Sequence, residues 1–67
     1  MNTITVNGIK HELDAETTLS DLLARLGLAG RPVVAELNGS AILPRTFGET
    51  IVRPGDSLEL VAICAGG

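Results

Sequence analysis

The groups able to do chemistry in this 67-residue chain are few: one cysteine, one histidine, eight side-chain carboxylates and five basic side chains. Cys64 has no basic neighbour in sequence, and such a neighbour is what lowers a thiol's pKa and readies it as a nucleophile. It reads first as a small hydrophobe at a strand end, second as a sulfur that accepts or resolves a persulfide. His11 lies in the alternating stretch "IKHEL" with no nucleophile nearby to serve, and reads as a strand side chain. One His and one Cys far apart have no metal-ligand spacing. Asp14, Asp21 and Asp56 fit turn and cap positions better than a catalytic set. No glycine-rich loop with Lys-Ser/Thr is there to cradle phosphates. What remains is the end, "VAICAGG", Val61 to Gly67. Gly66 and Gly67 pack nothing and lose much backbone freedom when ordered. Such an end is either frayed or slim enough to be threaded into a partner's buried site. Residues 64–67 reach roughly 13 Å when extended.

The body that must hold this end is one small domain. A chain of this size buries only about 60% of its unfolded surface, and a single Cys allows no internal bridge. The core must therefore be aliphatic: 45% of residues are hydrophobic, with Phe47 the one aromatic. That leaves little room for a deep pocket. The net charge is −3, without acidic or basic blocks. Nucleic-acid binding normally leaves a basic footprint and often aromatic stacking platforms; neither is visible, and a basic partner surface suits the chain better. Polar Asn2, Thr3 and Asn7 interrupt any secretory apolar region, and no run approaches a membrane span. A lone free thiol fits a reducing cytoplasm.

Across "NTITVNG", Asn2 to Gly8, Ile4 and Val6 alternate with Thr3, Thr5 and Asn7, the period-2 pattern of a half-buried strand. Asn7-Gly8 is a hairpin signal, followed by a strand with Ile9, His11 and Leu13 on one face. Leu19, Leu22, Leu23 and Leu26 then fall at i, i+3, i+4 and i+7, the stripe of a helix. Thr18 and Asp21 read as a capping box, Asp standing in for Glu. Gly27 suits a left-handed C-cap, and Pro32 blocks continuation. "VVAEL" predicts a strand, Asn38-Gly39 a second hairpin turn, and "SAIL" a short strand or extended piece stopped before Pro44. "RTFGETI" predicts at most a single helical turn, with Phe47 plugging the core. Arg53-Pro54-Gly55-Asp56 has the type II signature. The last strand, "SLELVAI", puts Leu58, Leu60 and Ala62 on one face and Ser57, Glu59, Val61 and Ile63 on the other. Leu19, Leu22, Leu23, Leu26, Leu58 and Leu60 are expected to share one core. One helix can cover one face of a small mixed sheet.

Taken in order, "ITVNG", "TLSDLLARLG", "VVAELNG", "ILPR", "RPGDSLELV" and the final "AGG" resemble the ThiS family, the small ubiquitin-like sulfur carriers of thiamine thiazole synthesis. The resemblance runs essentially end to end. It implies an α+β, β-grasp (ubiquitin-like) fold, with the first and last strands adjacent and central. A β-grasp domain over residues 1–63 and a flexible tail over 64–67 follow as the expected division. The chain departs from relatives in its small Val61 and Ala62, where an aromatic or longer side chain is common, and in Cys64, where an aliphatic residue or glycine is usual.

The resemblance implies a protein co-substrate rather than an enzyme, binding no cofactor itself. A carboxylate shares its charge over two oxygens and is a poor electrophile. The Gly67 carboxylate would therefore be adenylated by an E1-like, ThiF-like enzyme using ATP and Mg²⁺. A persulfide-donating enzyme would supply sulfur, and the resulting thiocarboxylate would serve a ThiG-like thiazole synthase. Gly66 keeps the tail slim; Val61, Ile63, Cys64 and Ala65 are candidate partner contacts. For Val61 and Ile63 the competing expectation is that they cover another part of the core. Three alternatives stand: a sulfur carrier for molybdopterin or another sulfur-containing metabolite, a ubiquitin-like modifier joined to lysines, and a plain binding module with an incidental Gly-Gly end. The molybdopterin type often has prolines before Gly-Gly; none is present here.

Overall fold

The structure is a computed structural model that describes residues 2–63. Along these residues run β1 (Thr3–Val6), β2 (Ile9–Glu12), β3 (Thr17–Thr18), α1 (Leu19–Arg25), β4 (Val33–Leu37), β5 (Ser40–Ile42), a 3₁₀ turn (Pro44–Thr46), β6 (Ile51–Val52) and β7 (Ser57–Ala62). The main sheet has the order β2-β1-β7-β4-β5, and β3 pairs with β6 apart from it. β1 and β7 run parallel, Thr5 beside Ser57 and Val6 beside Leu58, whereas the other pairs are antiparallel. A parallel pair needs a long crossover, and everything from β2 to β6 supplies it. With α1 against one face, this is the β-grasp fold that the resemblance implied.

Local chemistry sets these boundaries. Asn7 and Asn38 have φ of 52° and 50°, and their partners Gly8 and Gly39 have φ of 82° and 86°. Positive φ at both central residues is what a type I′ hairpin turn requires. Thr18 caps α1, its Oγ1 accepting from the Asp21 N–H at 3.1 Å. The return bond of a capping box is absent among the described residues, because the Asp side chain is one methylene shorter than Glu. At the other end Leu28 N–H donates to the Leu23 carbonyl (2.8 Å) and Gly27 N–H to that of Ala24 (3.1 Å). These two bonds, with Gly27 left-handed, form a Schellman motif.

Leu19, Leu22 and Leu23 meet Ile4, Val6, Val33, Ala35, Leu58 and Leu60 in the core, with Leu13, Phe47 and Val52 closing its sides. Burying each large side chain contributes about 1.5–3 kcal/mol. Leu26, expected with the others, is only half-buried against the core's margin, since α1 ends at Arg25. The predicted plug, Phe47, is buried. The helical turn expected in "RTFGETI" starts one residue earlier, at Pro44, which is pre-set for a helical first position. β3 and β6 had no signal: two residues are too short for periodicity, yet their pairing buries Val52 completely. Ile9 shares a face with Leu13 as expected, and opposite buried Val6 that face is the core side, but α1 is too short to cover Ile9.

Candidate functional site

β7 leads the chain to residues 64–67, so its attachments decide how that end is presented. Its odd-numbered residues bond to β4: Asn38 N–H donates to the Ser57 carbonyl at 2.8 Å, and Ile63 N–H to that of Pro32 at 2.9 Å. The row extends one residue past the strand, and Ile63 is thereby anchored. Its even-numbered residues face β1. Asn7 N–H donates to the Leu58 carbonyl at 2.9 Å. The Asn7 side chain then does what another strand residue would, accepting from Leu60 N–H (2.7 Å) and donating to its carbonyl (3.0 Å). Asn38 serves the other end: its Oδ1 accepts from Ser57 N–H at 2.9 Å and its Nδ2 donates to Asp56 at 3.1 Å. Sequence marked both asparagines as turn formers; nothing in the Asn-Gly pattern revealed that each also braces β7.

The side chains near the exit divide. Leu58 and Leu60 enter the core, whereas Ala62, expected on their face, is exposed where the helix layer has ended. Val61 is 63% exposed and faces Val34 (50%) across the outer surface of the sheet. One rung back Glu59 faces Glu36, like charges placed directly opposite, an arrangement that disfavours the pair. Neither has an ion-pair partner among the described residues, where Arg53 and Glu16 form the one salt bridge, at 3.1 Å. Ile63 is 50% exposed and borders an open cleft with Leu23, Leu28, Pro32 and Phe47. Val61 and Ile63 therefore do not serve as core cover; both lie at the surface where the chain leaves the sheet. Cys64, Ala65, Gly66 and Gly67, and with them the expected division after residue 63, lie outside the described residues.

The other candidate groups are scattered. His11 is half-buried on β2, and Asp14 is exposed beyond it. Asp21 stands in the first turn of α1. Asp56 accepts from Arg53 N–H at 2.8 Å, completing the Arg53–Asp56 turn, in which Gly55 has φ 95°. Among the described residues no three His, Cys, Asp or Glu are grouped to hold a metal. No helix is long and apolar enough to cross a membrane.

Known proteins match this arrangement throughout. The ThiS family model matches residues 4–67. Thiazole synthase of Magnetococcus marinus is 36% identical over 64 residues, and that of Paramagnetospirillum magneticum 33%. In each case the match covers 96% of this chain and 20% of the relative, so the chain spans about a fifth of their length. The crystal structure of the thiamine biosynthesis protein ThiS from Geobacter metallireducens superposes with a TM-score of 0.82 at 32% identity, covering 97% of this chain and 99% of that one. A solution structure of a thiamine biosynthesis protein from the same organism gives 0.76 at 32% identity, covering 97% and 87%.

Proposed function

This chain belongs to the ThiS family of sulfur-carrier proteins, and on that premise we propose that it carries sulfur for thiamine thiazole synthesis as a thiocarboxylate at Gly67. The observation that carries the proposal is the anchor at Ile63, beyond which residues 64–67 of the family match remain to be delivered. Measured from a fixed root, four residues span roughly 13 Å. Ordering them in a partner costs about 1–2 kcal/mol each in backbone entropy. Contacts by the exposed surface around Val61 and Ile63 offset that cost.

The chemistry follows from the carboxylate's inertness. In the activating enzyme a Gly67 oxygen attacks the α-phosphorus of ATP, forming the acyl-adenylate and releasing pyrophosphate. ATP and Mg²⁺ are held there, by the E1-like enzyme. A persulfide sulfur from the donor enzyme then attacks the acyl carbon and AMP leaves. A thiol cleaves the resulting S–S bond, becoming a disulfide and leaving the thiocarboxylate on Gly67. Cys64 is a bystander in this scheme. Delivery to a thiazole synthase is supported by the longer relatives, in which a segment like this chain is part of a protein named thiazole synthase. Joining two partners covalently raises their effective concentration, which suits a carrier and its consumer. A reducing cytoplasm suits both the thiocarboxylate and the free thiol of Cys64.

The test is reconstitution with the cognate adenylating enzyme, ATP, Mg²⁺ and a persulfide donor, read by intact mass. The expected product is heavier by the exchange of one oxygen for sulfur, and passes that sulfur to thiazole synthase. Addition of a whole protein would identify a modifier instead. Sulfur transfer only to another synthase would keep the carrier chemistry and reassign the product.

A further inference from the structure

The core-facing side of the sheet is left open at one corner. Ile9 is 64% exposed although Val6, its partner across the hairpin, is buried. With Leu26, Leu28, Leu60 and Ala62 it lines an apolar groove of about 370 Å³. The end of β7 runs along this groove. Because its odd-numbered backbone groups go to β4, those of Leu58, Leu60 and Ala62 point to the β1 side. Asn7 takes the Leu58 carbonyl and both groups of Leu60, and there β1 turns away into β2. Ala62 is next in the row. Among the described residues nothing bonds to its N–H or carbonyl on that side. A backbone donor and acceptor left unpaired at a strand edge are a template for one more strand.

We infer that the adenylating enzyme grips this carrier by β-augmentation, pairing an extended segment of its own with Ala62 in the space beyond the β1–β2 turn. Added in line with β1, that segment's core-side residue falls on the same side of the sheet as Val6 and Leu60, so an apolar side chain there enters the groove beside Ile9. The small side chain of Ala62 leaves the groove open to it. The inference rests on the carrier reading above and says how its first partner holds the tail.

Two variants of the full chain and one measurement on the unaltered chain test it. Ala62→Pro removes the outward N–H but no bond to β4, the setting in which a strand tolerates proline. Ile9→Asp leaves the backbone intact and sets a charge in the groove. Both are checked for an unchanged unfolding midpoint, then titrated against the cognate adenylating enzyme in ATP–pyrophosphate exchange. Each should need about tenfold more carrier for half-maximal exchange, Ala62→Pro through one lost hydrogen bond and Ile9→Asp through the cost of desolvating a charge against an apolar side chain. In the unaltered complex the Ala62 amide should become protected from hydrogen exchange. Should Ala62→Pro lower the midpoint, Ile9→Asp and the amide decide. An Ala62 amide that exchanges equally fast free and bound overturns the inference, as does unchanged half-saturation in folded variants. If the unaltered chain supports no exchange at all, the carrier reading itself fails and this inference falls with it.

Discussion

The two ends of β7 are held differently. At its start, Ser57 is bonded to Asn38 on one side, and the adjoining Asp56 carbonyl receives the Thr5 N–H on the other. At its finish, among the described residues, Ile63 is bonded to the β4 side through Pro32, while Ala62 lies opposite Val33 with its backbone N–H and carbonyl turned the other way. The first end also sends Leu58 into the core completely, while at the second Val61 and Ile63 are half or more exposed. The proposed threading of the tail into a partner calls for such an asymmetry. The root must not shift, or the reactive group is misplaced; the exit must leave one side free for the partner.

Mutations can break each part of this contrast. Leu58→Ala strikes the rooted end and should cost about 2–5 kcal/mol in urea denaturation, as should Leu23→Ala across the core. A loss smaller than the measurement error in either would contradict the core assignment. Asn7→Ala removes both bonds to Leu60 and forces alanine to positive φ; about 2–3 kcal/mol should be lost. Asn7→Gly relieves the backbone strain, so the difference between the two separates strain from bracing. Asn38→Gly, whose bonds are exposed, should cost about 0.5–1 kcal/mol. Equal effects of Asn7→Gly and Asn38→Gly would erase the distinction between the two braces. Arg53→Ala breaks an ion pair whose side chains are both 60% exposed, and its effect should stay within about 0.5 kcal/mol.

Much of the frame was legible because its signals are local. Asn-Gly pairs demand positive φ, the leucine stripe has a helical period, and Gly27 marks the helix end. The parallel pairing of β1 with β7 came from the resemblance, since no local pattern encodes a partner some fifty positions away. β3 and β6 were invisible for want of length. The bracing by Asn7 and Asn38 was hidden because a turn-forming asparagine looks the same whether or not its amide reaches another strand. At the site, alternation placed Val61 on the face away from Leu58 and Leu60 but left open whether it covers another part of the core, and it could not show that the helix layer stops short of Ala62 and Ile9. That depends on how far a seven-residue helix reaches across five strands.

The central claim is that a fixed root presents the Gly67 carboxylate at a set distance. Removing Gly67 shortens the extended tail by about 3.5 Å and leaves the core and both braces untouched. The direct measurement compares ATP–pyrophosphate exchange by the cognate adenylating enzyme with the full chain and with the chain ending at Gly66. The shortened chain should keep its unfolding midpoint and bind in part through the surface around Val61 and Ile63. Its exchange should fall by about 10²-fold or more, the scale expected when reacting groups lose alignment by an ångström. Equal exchange rates from the two chains would contradict the account.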